Sequence, residues 1–190
     1  MERIFWFWFR RLLCKVFHFD KWHLSLLEER KYALDIIDYC NRRLGRHAIA
    51  EIGCGLGDII RNVDFRKKRA FDAETSVLKA AAFLSRFWCR GKIRFRRFLF
   101  PQDQLSGRFD VILLVNWIHN IEHQVLRTGI QKYFTENLRP GGEIILDIVR
   151  NKAYKFNHDI FQMTSEIPCQ REKIGEYTMG REIWAIRRVG

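Results

Sequence analysis

Three glycines alternate near residue 50, in Glu51-Ile52-Gly53-Cys54-Gly55-Leu56-Gly57-Asp58, directly after the apolar run that begins at Ala48. Alternating glycines at the end of a buried strand let backbone approach a polar ligand more closely than any Cβ would permit. Glu51 places a carboxylate at the close of that run, and Arg69-Ala70-Phe71-Asp72 closes a second run on another. A carboxylate at such a strand end can accept hydrogen bonds from two vicinal ribose hydroxyls, although Asp72 could equally cap a helix opening near Glu74. The turn is not a dinucleotide fingerprint, because Asp58 stands where the last glycine of Gly-x-Gly-x-x-Gly would fall, and no Gly-Lys-Ser/Thr loop occurs. Further on, His119 and His123 follow a third apolar run closely enough to take a proton from an amine or hydroxyl, with packing or capping as the plainer role.

These residues need elements to hold them. From Ser25 the pattern is helical. Ser25 and Glu28 have capping-box spacing, Leu26, Ala33, Ile37, Cys40 and Leu44 recur on one face, and Gly45 supplies a stop. Strands are expected at 48–52, 68–72, 93–97, 109–115 and 143–149, with helices at 57–66, 74–89 and 121–138 and a loop at 98–108. That alternation implies a parallel sheet covered on both faces. A helix at 152–165 then precedes segments 171–177 and 181–188, which the short connection Thr178-Met179-Gly180 folds into an antiparallel hairpin. The strand at 93–97 carries Arg94, Arg96 and Arg97, so it belongs at a sheet edge.

With 190 residues, 47% of them hydrophobic, the chain can bury one substantial core. No linker-like tract divides it. The net charge of +12 favours anionic partners, RNA or an acidic membrane surface among them. Residues 66–69 and 86–97 concentrate that charge and are expected to form one patch beside the second and third strands, either solvated or tracking an anion. Five cysteines in an odd, unpaired arrangement argue against a disulfide framework or a structural zinc, so no metal is expected and a reducing cytoplasm fits. The opening Ile4-Phe5-Trp6-Phe7-Trp8-Phe9 is too short to span a bilayer and has its charges on the wrong side for a secretory signal. Its aromatics mixed with arginine suit the headgroup region at the inner face of a membrane, though a partner or the protein's own core could cover them.

Taken in order, these segments resemble the motifs of class I S-adenosylmethionine-dependent methyltransferases. Residues 51–57 resemble the first motif, 69–74 the second, 109–116 the fourth, and Leu138-Arg139-Pro140-Gly141-Gly142-Glu143 the turn before strand five. The resemblance implies an α/β, Rossmann-like mixed sheet of seven strands in the order 3-2-1-4-5-7-6, its last strand antiparallel, with helices on both faces. It also implies a helical lid at 1–45 ahead of a cofactor domain at 46–190. S-adenosyl-L-methionine is the implied cofactor. Glu51 would support its ammonium group, Gly53, Cys54, Gly55 and Gly57 would approach its methionine part, and Asp72 with Ala73 would meet the ribose. Asn116 would line the pocket near the transferable methyl, with His119 or His123 as general base. The usual acid after strand three is missing near Arg97 and Phe98, and Asp103 is the nearest carboxylate. Trp22, His23, Arg30 and Tyr32 are the expected lid contacts with the acceptor. The run Phe17-His18-Phe19-Asp20-Lys21-Trp22-His23 and the compact size resemble small bacterial methyltransferases associated with cell-surface glycan or lipid-linked sugar genes. Two other readings stay open, an RNA methyltransferase and a non-catalytic protein that binds the cofactor or a membrane partner. The sequence Asn116-Trp117-Ile118-His119 lacks the Asn-Pro-Pro-Tyr pattern of base amino-group methylation.

Overall fold

The computed structural model describes residues 2–43 and 45–189. Seven strands form one sheet: β1 (Ala48–Ile52), β2 (Lys67–Asp72), β3 (Ile93–Arg97), β4 (Phe109–Leu114), β5 (Leu138–Val149), β6 (Cys169–Tyr177) and β7 (Arg181–Arg188). Their order is β3-β2-β1-β4-β5-β7-β6, as the resemblance implies. The first five are parallel, and β7 lies antiparallel between β5 and β6. The chain reaches β3 at one edge and then crosses back to β4 on the far side of β1. The carboxyl ends of β1 and β4 therefore flank a topological switch point, where open sheets of this kind bind ligands.

The described residues form six α-helices, α1 (Glu2–Phe17), α2 (Lys31–Arg42), α3 (Asp58–Asn62), α4 (Thr75–Ser85), α5 (His123–Lys132) and α6 (Ile160–Met163), all but α1 packing on the sheet. Period-two alternation divides the core. Ile49, Val111 and Leu113 face Ala33, Ile36 and Cys40 of α2 and Ile59 and Ile60 of α3, while Ile52, Ile112 and Leu114 face Leu126 and Ile130 of α5. Every residue of β1 is buried, which its central place requires, whereas the arginines of β3 are exposed at the edge. α1 packs apart from the sheet, with Leu13 and Phe19 against Leu56, Val77, Ala80 and Leu84.

Several expected boundaries change. Ser25 does not cap a helix: its carbonyl accepts from Arg10 Nη1 at 2.5 Å, and Leu26 N–H donates to Glu29 at 3.1 Å instead. Two single turns, Lys21–Leu24 and Leu27–Glu29, carry the chain across the end of the sheet before α2 begins. Ile36 is buried where Ile37 was expected, and Leu44 lies outside the described residues. α3 stops at Asn62 because buried Val63 and Phe65 already lead into β2. α4 ends four residues early, and a wide final turn, Tyr133–Asn137, closes α5. Only Ile160–Met163 of the expected helix at 152–165 forms. Before it the chain loops back, and Phe156 N–H donates to the His119 carbonyl at 3.0 Å. Residues 66–69 are not one basic face. Lys68 is buried, with Nζ donating to the carbonyls of Val63 and Arg90, and Arg69 lies 5.6 Å over the Phe109 ring.

Candidate active site

The glycine turn leaves β1 with Gly53, Gly55 and Gly57 all left-handed, at φ of +74°, +54° and +73°. The N–H groups of Gly53 and Cys54 both donate to the Phe71 carbonyl, at 2.8 and 2.9 Å. Gly55 N–H donates to Asp72 Oδ2 at 2.8 Å, and Asp72 Oδ1 accepts from Glu74 N–H at 3.0 Å. Asp72 thus ties the turn to the end of β2 and orders the start of α4 at once. A side chain could not be added at the first two glycines. A Cβ on Gly53 would stand 2.2 Å from the Trp117 indole, and one on Gly55 would stand 2.9 Å from His23 Nδ1. Trp117 is itself fixed, its Nε1–H donating to the Ile52 carbonyl at 2.6 Å.

A cavity of about 440 Å³ opens beside the turn. Glu51, Gly53, Cys54 and Gly55 line it from the end of β1, Asn116 and Asn120 from beyond β4, and Tyr154 from the loop after β5. Trp22, His23, Arg30 and Tyr32 of the amino-terminal region complete the wall, so all four expected lid residues meet there. Gly57, Asp72 and Ala73 do not line it. Gly57 precedes α3 and donates to the Cys54 carbonyl at 2.8 Å, and the Ala73 carbonyl accepts from Arg97 Nε at 3.3 Å. Burial holds the His23 imidazole below its ordinary range although Asp72 lies near enough to pull it up. Its ring is tilted against Trp22, 3.8 Å between centroids.

Two carboxylates share this wall in opposite states. Burial pushes Glu51 up to about 8, against the Ile60 N–H that Oε2 accepts at 3.0 Å. Asp58 is equally buried, but its burial is outweighed by Arg10, Arg30 and Arg61, and it falls to about 2. Arg10 Nη2 lies 2.7 Å and Arg61 Nη2 2.5 Å from Oδ1, and Arg30 pairs with Oδ2. This node joins α1, the segment before α2, and α3. The alternating glycines pointed at its location, but only Asp58 itself was conspicuous in sequence, as a departure from a glycine pattern.

Asn116 takes a left-handed backbone at φ +75°, rare for a residue with a side chain. Its N–H donates to Asp147 Oδ1 at 2.9 Å, and its side chain meets the Tyr32 hydroxyl and Arg181, the latter at 2.7 Å. Arg181 also pairs with the buried Asp147 and stacks 4.6 Å over the Tyr32 ring. His119 is buried beside the same carboxylate, Nε2 3.3 Å from Asp147 Oδ2, with its ring 4.6 Å from that of Tyr154. His123 lies elsewhere, with Nδ1 3.0 Å from His158 Nδ1, while His158 Nε2 meets the Ile118 carbonyl at 3.0 Å. A carbonyl only accepts, so His158 carries its proton on Nε2 and His123 donates to Nδ1. Asp103 accepts from Leu99 N–H at 2.8 Å and is no part of the wall. Asp147, Arg181 and Tyr154 were not anticipated. No spacing in the sequence links residues that meet only through β5 and β7.

Known structures align with this arrangement over nearly its whole length. The N-methyltransferase NodS from Bradyrhizobium japonicum WM9, solved with S-adenosyl-L-homocysteine, superposes with a TM-score of 0.73 at 16% identity, covering 94% of this chain and 97% of its own. Magnesium protoporphyrin IX methyltransferase from Synechocystis PCC 6803 gives 0.67 at 10% identity, covering 93% of each chain. The chain has the class I methyltransferase fold. CalS10 from Micromonospora echinaspora, an amino pentose methyltransferase with bound S-adenosylmethionine, matches that fold too, at 0.66 and 12% identity over 93% of this chain and 95% of its own. No protein-family model and no curated protein matches the chain. In all three superpositions the methyltransferase fold is what is shared, at identities too low to transfer a residue's role.

Proposed function

We propose that the chain is an S-adenosyl-L-methionine-dependent methyltransferase acting on a small molecule, with a cell-surface glycan or lipid-linked sugar precursor as the acceptor class. The observation that carries this reading is the left-handed glycine turn at the switch point, with Glu51, which pairs with no cation among the described residues, in the wall of the cavity beside it. A buried carboxylate without a cation is costly, and an ammonium group is the ligand that relieves it. The cradle fits the methionine part of the cofactor, because glycines leave the backbone bare there and Glu51, Cys54 and Asn116 surround it. Asp72 would take the ribose hydroxyls once His23, which sits over Gly55, moves aside.

When bound, the cofactor supplies a methyl group activated on a sulfonium. The protein's part is then chiefly to hold an acceptor at contact distance and to accept its proton. Tyr32, Asn116, Asn120 and Tyr154 present polar groups for a hydroxylated or amino acceptor. Of the two histidines only His119 touches the cavity wall, its ring 4.6 Å from that of Tyr154 and Nε2 3.3 Å from Asp147 Oδ2, though it does not itself line the cavity. Transfer of labelled methyl into a cell extract separated into soluble, lipid and RNA pools tests this. Label in the soluble or lipid pool, lost in His119→Asn, supports the reading. Label confined to RNA overturns the acceptor class, and cofactor binding without transfer to any pool overturns catalysis.

A further inference from the structure

We propose that the outer face of α1 is a docking surface for an anionic lipid bilayer. The inner face of this helix is already satisfied by its own protein: Leu13 packs into the α4 cluster and Arg10 reaches Asp58 and the Ser25 carbonyl. The outer face is not. Ile4, Phe5, Phe7, Trp8, Leu12 and Val16 stand 40 to 66% exposed on it. On a helix, positions 4, 8, 12 and 16 follow one another along a single stripe, so these side chains form a continuous surface. On the inner side Trp6 packs edge-on against Trp88, 4.5 Å between centroids, and next to Trp88 the Phe87 ring stands 59% exposed beyond the end of α4.

Charge decides what covers this surface. Arg11 and Lys15 project from the middle of the stripe, Arg11 lying 5.0 Å over the Trp8 ring. Along the segment that carries Phe87 and Trp88, exposed Arg86, Arg90, Lys92, Arg94, Arg96 and Arg97 follow one another over residues 86–97 with no acidic residue, and residues 4–17 have none either. A second copy of the chain would bring these cations against their equals. A nucleic-acid backbone would match the charge but leave Ile4, Leu12 and Val16 without apolar contact. An acidic leaflet satisfies both, with aromatics at the headgroup boundary and arginines among lipid phosphates. None of the helices among the described residues is long and apolar enough to cross a membrane, so the contact is peripheral.

The test is co-sedimentation of the full chain with phosphatidylcholine vesicles, with and without phosphatidylglycerol, at physiological salt. Binding should require phosphatidylglycerol and fall at least about tenfold in Trp8→Ser/Leu12→Ser and in Arg11→Glu/Lys15→Glu. All four side chains are exposed, so the unfolding midpoint should not move, and that is measured alongside. The proposal is overturned if the protein stays in the supernatant with both vesicle types, or if either double variant binds like wild type. It is equally overturned if the Trp8→Ser/Leu12→Ser variant changes only a monomer–dimer equilibrium in sedimentation, or if RNA captures the protein with an affinity both double variants retain.

Discussion

Glu51 and Asp58 sit seven positions apart at the two ends of the glycine turn, both buried, both in the wall of the same cavity. One is pushed up to about 8 and the other down to about 2. Burial acts on both in the same direction, so the difference lies in their neighbours. Asp58 is paired with three guanidinium groups, whereas Glu51 accepts one backbone N–H and feels Arg30 only through its field, opposed by Asp58 and Asp72. A carboxylate with its own cations is a fastener, here between the amino-terminal helix and the fold. A carboxylate without such pairs is suited to meet a ligand's cation. The contrast separates the residue that builds the site from the residue that serves it.

The contrast breaks most visibly in stability. Asp58→Asn would leave three arginines close together with no counter-charge, and a buried pair broken on one side costs about 3 kcal/mol or more. Urea unfolding at neutral pH should show that loss, and Glu51→Gln should show none, because no ionised partner is stranded. If the two variants lose stability equally, the distinction between the two carboxylates fails.

A second effect is on ligand affinity. Glu51 must be ionised to hold an ammonium group, so affinity for S-adenosyl-L-methionine should rise roughly tenfold per pH unit below about 7 and level off above about 8. Glu51→Gln should flatten that slope and release no proton on binding, which calorimetry in buffers of different ionisation enthalpy would register. A wild-type affinity independent of pH between those limits would show that Glu51 does not meet the cation.

Stability against pH offers a finer separation. The unfolded chain releases the Glu51 proton near its ordinary 4.5 while the folded chain keeps it to about 8. Wild type should therefore lose stability relative to Glu51→Gln as pH climbs through that window, and run parallel above it. Asp58 acts oppositely: its contribution is present above its ordinary 3.8 and disappears as pH falls towards 2. Smallest of all, Tyr32→Phe removes the hydroxyl that lies 2.9 Å from Asn116 Nδ2 and 3.2 Å from its Oδ1, and should cost about 1 kcal/mol in unfolding experiments. A loss several times larger would mean that Tyr32 supports the whole Asn116–Arg181–Asp147 network.

The sequence showed the sheet and the turn clearly, because both are written in local pattern. Four largely buried β-runs between helical stretches, a fifth whose arginines only an edge tolerates, and glycines with one shared backbone need all act within a few residues. Helix lengths were overestimated where helical character persisted past the point at which packing turned the chain, as at Val63 and Tyr154. What local pattern could not carry was pairing at a distance. Nothing near Asp58 announces Arg10, forty-eight positions earlier. Asp147 and Arg181 become neighbours of Asn116 only because β7 returns antiparallel beside β5. His119 drew notice as a histidine after a strand, but its buried carboxylate partner came from another strand altogether.

Whether the glycine turn holds S-adenosyl-L-methionine is settled most directly by titration calorimetry with S-adenosyl-L-homocysteine, on wild type and on Asp72→Ala. A turn built for this cofactor binds S-adenosyl-L-homocysteine with one site per chain, and loses at least about tenfold, or 1.4 kcal/mol, when the Asp72 carboxylate is removed. Absence of any binding heat from this ligand and from S-adenosyl-L-methionine, or equal affinity in Asp72→Ala, would contradict it.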